Sequence, residues 1–210
     1  MTLAQQPLPV IRRARADDQH HLTMLLVAAF FHGDLAPYLV PDIADRASRY
    51  WPYFEIFAEH ALGCADVDLI MEDEAAMPAA AAIWHRVGQQ GLRFDLPDYD
   101  IRLVNAVGKW LPRFLALDEA MHRHHPAGRE HDYLAYLAVQ PALQNKGLGS
   151  RLLDHRHKHP DTAGRPAYLE ATGDRNRRLY ERHGYTLLTP YQVGPRGPLL
   201  YPMWLPGLRD

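Results

Sequence analysis

The segment from Leu137 to Ser150 constrains the fold more than any other part of this 210-residue chain. An apolar run ending in Leu137-Ala138-Val139 meets Pro141, then Gln144-Asn145-Lys146-Gly147-Leu148-Gly149-Ser150, then Leu152 and Leu153 at helical spacing. A strand that turns into a helix within so few residues must lay that helix against a sheet. The head of such a helix presents unpaired N–H groups and the positive end of the macrodipole, which suits phosphate. Gly147 and Gly149 let backbone approach an anion with no Cβ in the way. Lys146 and Arg151 add positive charge nearby. Two other phosphate loops are excluded: Lys146 precedes the glycines instead of following them, and Leu152 stands where a dinucleotide loop needs its third glycine. A tight turn with no ligand is the alternative reading of the same residues.

The flanking pattern extends this unit in both directions. Val10 and Ile11 start a short strand, and Asp17 or Asp18 can cap a helix carrying Leu22, Leu25, Leu26, Ala29 and Phe30. A second helix reads from Ile43 to about Leu62, with Pro52 inside it as a kink or break and Gly63 as its stop. Val67–Met71 and Ala79–Val87 read as a strand pair with Asp73-Glu74 at the tip of their turn. Downstream, Tyr133–Val139, Ala167–Ala171, Tyr185–Leu188 and Leu199–Trp204 read as strands. Helices are expected from Gly147 to about His157 and from Asp174 to His183, ended by Pro160 and Gly184. The class is therefore α/β, a mixed, partly parallel central sheet flanked by helices in one domain spanning 1–210.

Residues 88–129 do not belong to this alternation. Leu103, Val107, Trp110, Leu111, Phe114, Leu117 and Met121 recur at helical spacing, with Pro112 a bend. About forty residues stand where a hairpin needs two to five, and excursions of that length are usually functional. This helical insertion before the fourth strand is expected to wall a ligand pocket, with Trp110 or Phe114 among its contacts; the alternative is a helix that only fills core.

Composition narrows the function. Basic and acidic residues number 23 and 25, for a formal charge of -2, which argues against a nucleic-acid or membrane-surface partner. The longest apolar run, Met24–Phe31, is too short to span a bilayer, and Pro7, Pro9 and the arginines at 12, 13 and 15 are not in signal-peptide order. A cytoplasmic location is the expectation. The single cysteine, Cys64, permits no intramolecular disulfide and reads as a small buried hydrophobe with no His or acid tied to it. His155 with His159, and His122 with His125, have ligand-like spacing but no nearby Cys or carboxylate completes a set, so no metal is expected. Arg175, Arg177, Arg178 and Arg182 read as solvated, or as steering an anion.

The segments Gln144-x-x-Gly147-x-Gly149, GRPAYLEAT (164–172) and RLYERHGY (178–185), with Asn176 between them, resemble the GNAT superfamily of N-acetyltransferases. Among its branches they are similar to the one containing puromycin N-acetyltransferase. The resemblance is specific from about 131 to 188, architectural from 10 to 87, and absent in detail from 88 to 129. It implies a GNAT-type sheet and acetyl-CoA as acyl donor, with no metal. It implies that backbone at Leu137, Ala138 and Val139 pairs with the pantetheine arm, one amide polarising the thioester carbonyl. Gln144, Asn145, Lys146, Gly147, Leu148, Gly149 and Ser150 would hold the pyrophosphate, and Asn176 would bond the arm. Tyr180 would protonate the departing thiolate. An ammonium acceptor must lose a proton before it attacks, and Glu170, at a strand end facing the presumed cleft, is the candidate base. Its alternative role is to bind the substrate cation or a neighbouring Arg. The expected partner is a small-molecule amine, with a protein N-terminus or lysine, or a non-catalytic CoA sensor, as alternatives. The quaternary state stays open between monomer and homodimer.

Overall fold

The computed structural model describes residues 10–72, 77–92 and 96–208. Pro7, Pro9 and the expected turn tip at Asp73-Glu74 lie outside them. β1 (Val10–Arg13) leads through a 3-10 turn at Ala16–Asp18 into α1 (Gln19–Phe30). Asp18 precedes α1 as expected but does not cap it. Its carboxylate instead accepts two bonds from the Arg12 guanidinium and one from the Arg15 amide, each 2.7 Å. After α2 (Ala36–Leu39), Asp42 caps α3 (Ile43–Cys64) by accepting the Asp45 N–H at 2.8 Å. Pro52 does not split α3, and the helix ends one residue past Gly63, close to the expected stop. The buried stripe of Tyr50, Tyr53, Phe54 and Ile56 carries the helix through Pro52, since packing outweighs one lost backbone bond.

β2 (Asp66–Met71) and β3 (Ala80–Val87) pair antiparallel. The alanine-rich run of β3 is a strand because both its faces are buried: Ala80, Ala82 and Trp84 point one way, Ala81 and Ile83 the other. The insertion is two helices, α4 (Tyr99–Val107) and α5 (Leu111–His124), where the sequence suggested one helix bent at Pro112. The break falls at Gly108, whose φ of 54° favours glycine. Pro112 sits in the first turn of α5, where its missing N–H costs nothing, so it starts a helix and does not bend one.

β4 (His131–Val139), α6 (Leu148–Lys158), β5 (Ala167–Ala171), α7 (Asp174–Arg182), β6 (Thr186–Leu187), β7 (Tyr191–Gln192) and β8 (Leu199–Leu205) complete the chain. The sheet runs β1-β2-β3-β4-β5-β8-β6, with β7 on β8, and β4–β5 is its parallel pair. The expected mixed, partly parallel sheet flanked by helices, with a helical insertion before the fourth strand, is what forms. The strand expected at Tyr185–Leu188 shortens to two exposed residues, because Tyr185 turns into the core.

Period-two alternation gives the sheet two buried faces. α1, α3, α4 and α5 cover one with Leu22, Leu26, Phe54, Leu103 and Phe114; α6 and α7 cover the other with Leu152, Leu153 and Tyr180. Trp84 is fully buried on the second face, as a core aromatic should be. Among the described residues no helix is long and apolar enough to cross a membrane. One expectation fails outright. Cys64 is exposed, and its Sγ lies 3.1 Å from Nε2 of His60. The four-residue spacing on one helix brings them together, and α3 running past Gly63 puts the thiol at the helix end.

Candidate active site

β4 and β5 pair only at their first residues, Asp132 with Ala167 and Tyr133 with Tyr168. Beyond Tyr133 the two strands part. The cause lies on the opposite edge of β4, where the register against β3 slips between Ile83, opposite Tyr136, and Trp84, opposite Leu134. Ala135 is thus an extra residue in β4, and such a bulge bends its strand. From Ala135 to Leu137 the burial of β4 drops from complete to partial. The gap opens into a cleft of about 1690 Å³ that passes through the sheet and touches both of its faces.

On the α6 face the cleft is lined by Leu137, Val139, Gly147, Gly149, Asn176 and Tyr180. Gly147 is the residue ahead of α6, with φ of 80°, and Asn145 is also left-handed at 65°. These two residues lead directly into the first turn of α6, whose leading amides have no partner within the helix and whose first residues line the opening. A Cβ on Gly147 would meet nothing within 4 Å, and one on Gly149 would touch the ends of Leu137 and Leu179 at 3.5 and 3.6 Å. The loop is therefore an open cradle and not a packed turn. Arg175 lines the cleft beside it and donates to Oδ1 of Asn145. Asn176 donates to Thr172 Oγ1 at 3.2 Å, and Thr172 in turn donates to Asp34 at 3.3 Å.

On the α3 face stand Glu170 and Asp118. Glu170 projects from β5 opposite to its neighbours Leu169 and Ala171, which pack under α6 and α7. Tyr191 donates to its carboxylate at 3.3 Å. Burial pushes this carboxyl up to about 7, while the hydroxyls of Tyr168, Tyr133 and Tyr191 pull it down. The buried Tyr168 hydroxyl closes no hydrogen bond of good geometry, so the Tyr191 contact is the one that is made. Asp118, on α5, accepts the Tyr99 hydroxyl at 2.7 Å, and burial raises its carboxyl to about 6. Tyr53, Phe57 and Tyr136 wall this part of the cleft, with Phe57 ring centroids 5.0 and 5.8 Å from those of Tyr53 and Tyr136.

Residues 114–187 match the family profile described as an acetyltransferase (GNAT) domain. That stretch is similar to GNAT acetyltransferase domains. The fold of the chain is shared with solved structures over nearly the full length. One is from Corynebacterium glutamicum, described as histone acetyltransferase HPA2 and related acetyltransferase. It is 24% identical, with a TM-score of 0.72 over 95% of this chain and 97% of that one. Arylalkylamine N-acetyltransferase 2 from Aedes aegypti is 14% identical, with a TM-score of 0.64 over 93% and 97%. The polyamine N-acetyltransferase of Drosophila melanogaster is 16% identical, with a TM-score of 0.55 over 93% and 98%.

The cleft collects Leu137, Val139, Gln144, Asn145, Gly147, Leu148, Gly149, Ser150, Asn176, Glu170 and Tyr180 from the residues singled out in the sequence. Two others stand apart. The side chain of Ala138 turns into the core on the α3 face, and Lys146 is exposed outside the cleft lining. Segment 88–129 does line the cleft, but through Tyr99, Asp118 and His122 and not through Trp110 or Phe114. Phe114 is 1% exposed and packs on Tyr53, ring to ring at 4.7 Å. Trp110 instead donates to Asp45 at 3.1 Å with Lys109 and Arg113 over its ring. Sequence reasoning missed Asp118 because a polar residue on an amphipathic helix reads as its solvated face. The interruption of the apolar stripe between Leu117 and Met121 is the only local trace of it.

Proposed function

We propose that this protein transfers an acetyl group from acetyl-CoA to a primary amine by direct attack on the thioester. The observation that carries the reading is the cleft through the sheet: an anion cradle opens on one face and a buried carboxylate with a raised pKa on the other. The amides at the head of α6, with Arg175 beside them, suit the pyrophosphate. The edge of β4 beyond Tyr133, unpaired on its β5 side, suits the amide-bearing pantetheine arm, with Asn176 alongside. Ala138 serves there through its backbone, so its inward side chain is no obstacle. Lys146 contributes through its amide and long-range charge only.

In the reaction, the ammonium first loses one proton to the base; the amine nitrogen then bonds to the acetyl carbon, the carbon–sulfur bond breaks, and the second proton lost by nitrogen balances the one taken up by the CoA thiolate, so one proton is released overall. Glu170 lies on the face where the amine would enter, and a carboxyl near 7 is half-ionised at neutral pH, as a base needs. Tyr180 lies on the donor face, where burial raises its pKa and keeps the phenol protonated. A phenol is a weaker acid than a thiol, so Tyr180 acts first as a hydrogen-bond donor to the sulfur as charge builds there. Aromatic rings and the Asp118 carboxylate make the α3 face suited to a compact amine.

A thiol-release assay with acetyl-CoA and a panel of amines tests this reading. Arylalkylamines, polyamines, aminonucleosides and short peptides form the panel; aminonucleosides are included because GRPAYLEAT and RLYERHGY resemble the puromycin N-acetyltransferase branch. Release with a small amine is expected. Release with peptides alone would replace it by the protein-acetylating reading, and CoA binding without release on any acceptor would leave a sensor.

A further inference from the structure

A second cavity, of about 550 Å³, lies behind the α3 face and shares only Leu92 and Leu96 with the cleft. His60, Cys64 and His85 line it. Their ligand atoms all lie within 4.8 Å of one another. His60 and Cys64 are one turn apart at the end of α3, and His85 comes from the middle of the sheet, 21 positions beyond Cys64. The imidazoles of His60 and His85 lie nearly parallel, 23° apart, with centroids at 5.9 Å. Two nitrogens and one sulfur from two separate elements thus converge on one point, with the thiol exposed and His85 buried.

We propose that His60, Cys64 and His85 bind a divalent ion of the zinc type, with a fourth position open to the cavity. Zinc–sulfur and zinc–nitrogen bonds of about 2.3 and 2.0 Å in a tetrahedron set ligand atoms about 3.3 to 3.6 Å apart. The Cys64 sulfur and the His60 nitrogen stand at 3.1 Å, and no pair exceeds 4.8 Å, so the set lies within about 1.5 Å of that spacing. Mixed thiolate and imidazole ligation selects this class of ion over magnesium or calcium. The helix end favours a cation independently of the three ligands: the site sits at the C-terminal end of a 22-residue helix, the negative end of its macrodipole. The Glu59 and Asp66 carboxylates in the same cavity are already paired, with Arg102 and with Arg13, Arg86 and Arg156. On binding, the metal–sulfur bond forms and the Cys64 thiol proton passes to the buffer. The ion would pin the end of α3 to β3 behind the aromatic wall that α3 gives the cleft.

The test uses the full chain stripped of metal and titrated with zinc by calorimetry and with cobalt(II) by absorbance. One equivalent should bind, with a thiolate-to-cobalt charge-transfer band and a rise in Tm with zinc. Cys64→Ser changes an exposed side chain and should abolish the band and weaken zinc at least tenfold. His85→Ala should do the same; if it fails to fold, His60→Ala on the helix surface carries the second arm. Absence of stoichiometric binding overturns the proposal. So does a band or an affinity unchanged in Cys64→Ser or His60→Ala. Acetyl transfer is not read in any arm, so the outcome is independent of the function proposed above.

Discussion

At the scale of single residues, two side chains on opposite faces of the sheet divide the proposed chemistry. Glu170 must be ionised to accept a proton, so kcat/KM should rise with pH through about 7. Glu170→Gln should lower the rate by about 10²-fold or more and remove that ascending limb. A normal kcat with a raised acceptor KM would instead assign Glu170 to cation binding. Stability follows the opposite sign. Burial favours the protonated carboxyl, so this group's contribution is full below its ordinary 4.5 and is lost as pH rises through about 7. Denaturant titrations across that window should flatten in Glu170→Gln. Tyr180 is buried and protonated, and its hydroxyl is the only part that Phe lacks. Tyr180→Phe should therefore depress kcat by about 10²-fold and change the acetyl-CoA KM little, as steady-state kinetics would show. An unchanged kcat, where chemistry limits turnover, would remove it from the mechanism.

At the scale of elements, the head of α6 and the face of α5 each make a separable contribution. Gly147 needs its positive φ, so any replacement strains the turn as well as crowding the cradle. Gly149 has ordinary dihedrals and room for a Cβ at 3.5 Å from Leu137, which makes it the cleaner probe. Gly149→Val should keep the fold and weaken CoA at least tenfold in calorimetry; wild-type affinity would move the pyrophosphate elsewhere. On α5, Asp118 is the carboxylate among the rings of the α3 face and is anionic above about 6. Asp118→Asn should raise the KM of a cationic acceptor several-fold and leave that of acetyl-CoA unchanged. Its pH profile should keep the limb that Glu170→Gln loses, which separates the two carboxylates.

At the scale of the whole molecule, the cleft exists because β4 and β5 are joined at one end and apart at the other. The joined end is held by charge. Asp132, at the start of β4, accepts Arg156 from α6 at 2.7 Å and Arg165 at 2.9 Å, and Arg156 also reaches Asp66 on β2 at 2.7 Å. Arg156 and Asp132 are almost fully buried. Arg156→Ala leaves a buried carboxylate with one partner fewer. It should cost about 3 kcal/mol, the lower end for a broken buried pair, because Arg165 remains. Urea unfolding measures it, and a loss below 1 kcal/mol would mean the network contributes little to holding the sheet.

The sequence by itself determined the elements whose signals are local. The apolar, β-prone run of β4, the glycines at the head of α6 and the apolar stripes of α3 and α6 are short-range patterns, and they locate the central strand, the glycine loop and the helices beside it. Tertiary structure decided whatever depends on residues distant along the chain. The bulge at Ala135 follows from a register that only β3 can set, and without it β4 and β5 would stay paired and no cleft would open. Arg156 looks like one more helix-surface charge until Asp66 and Asp132 meet it from two strands. Asp118 was missed and Cys64 misread for the same reason. Burial and partners belong to the packed chain: one carboxylate turned inward by two helices where one was expected, and one thiol left outside when α3 ran past its glycine to meet His85.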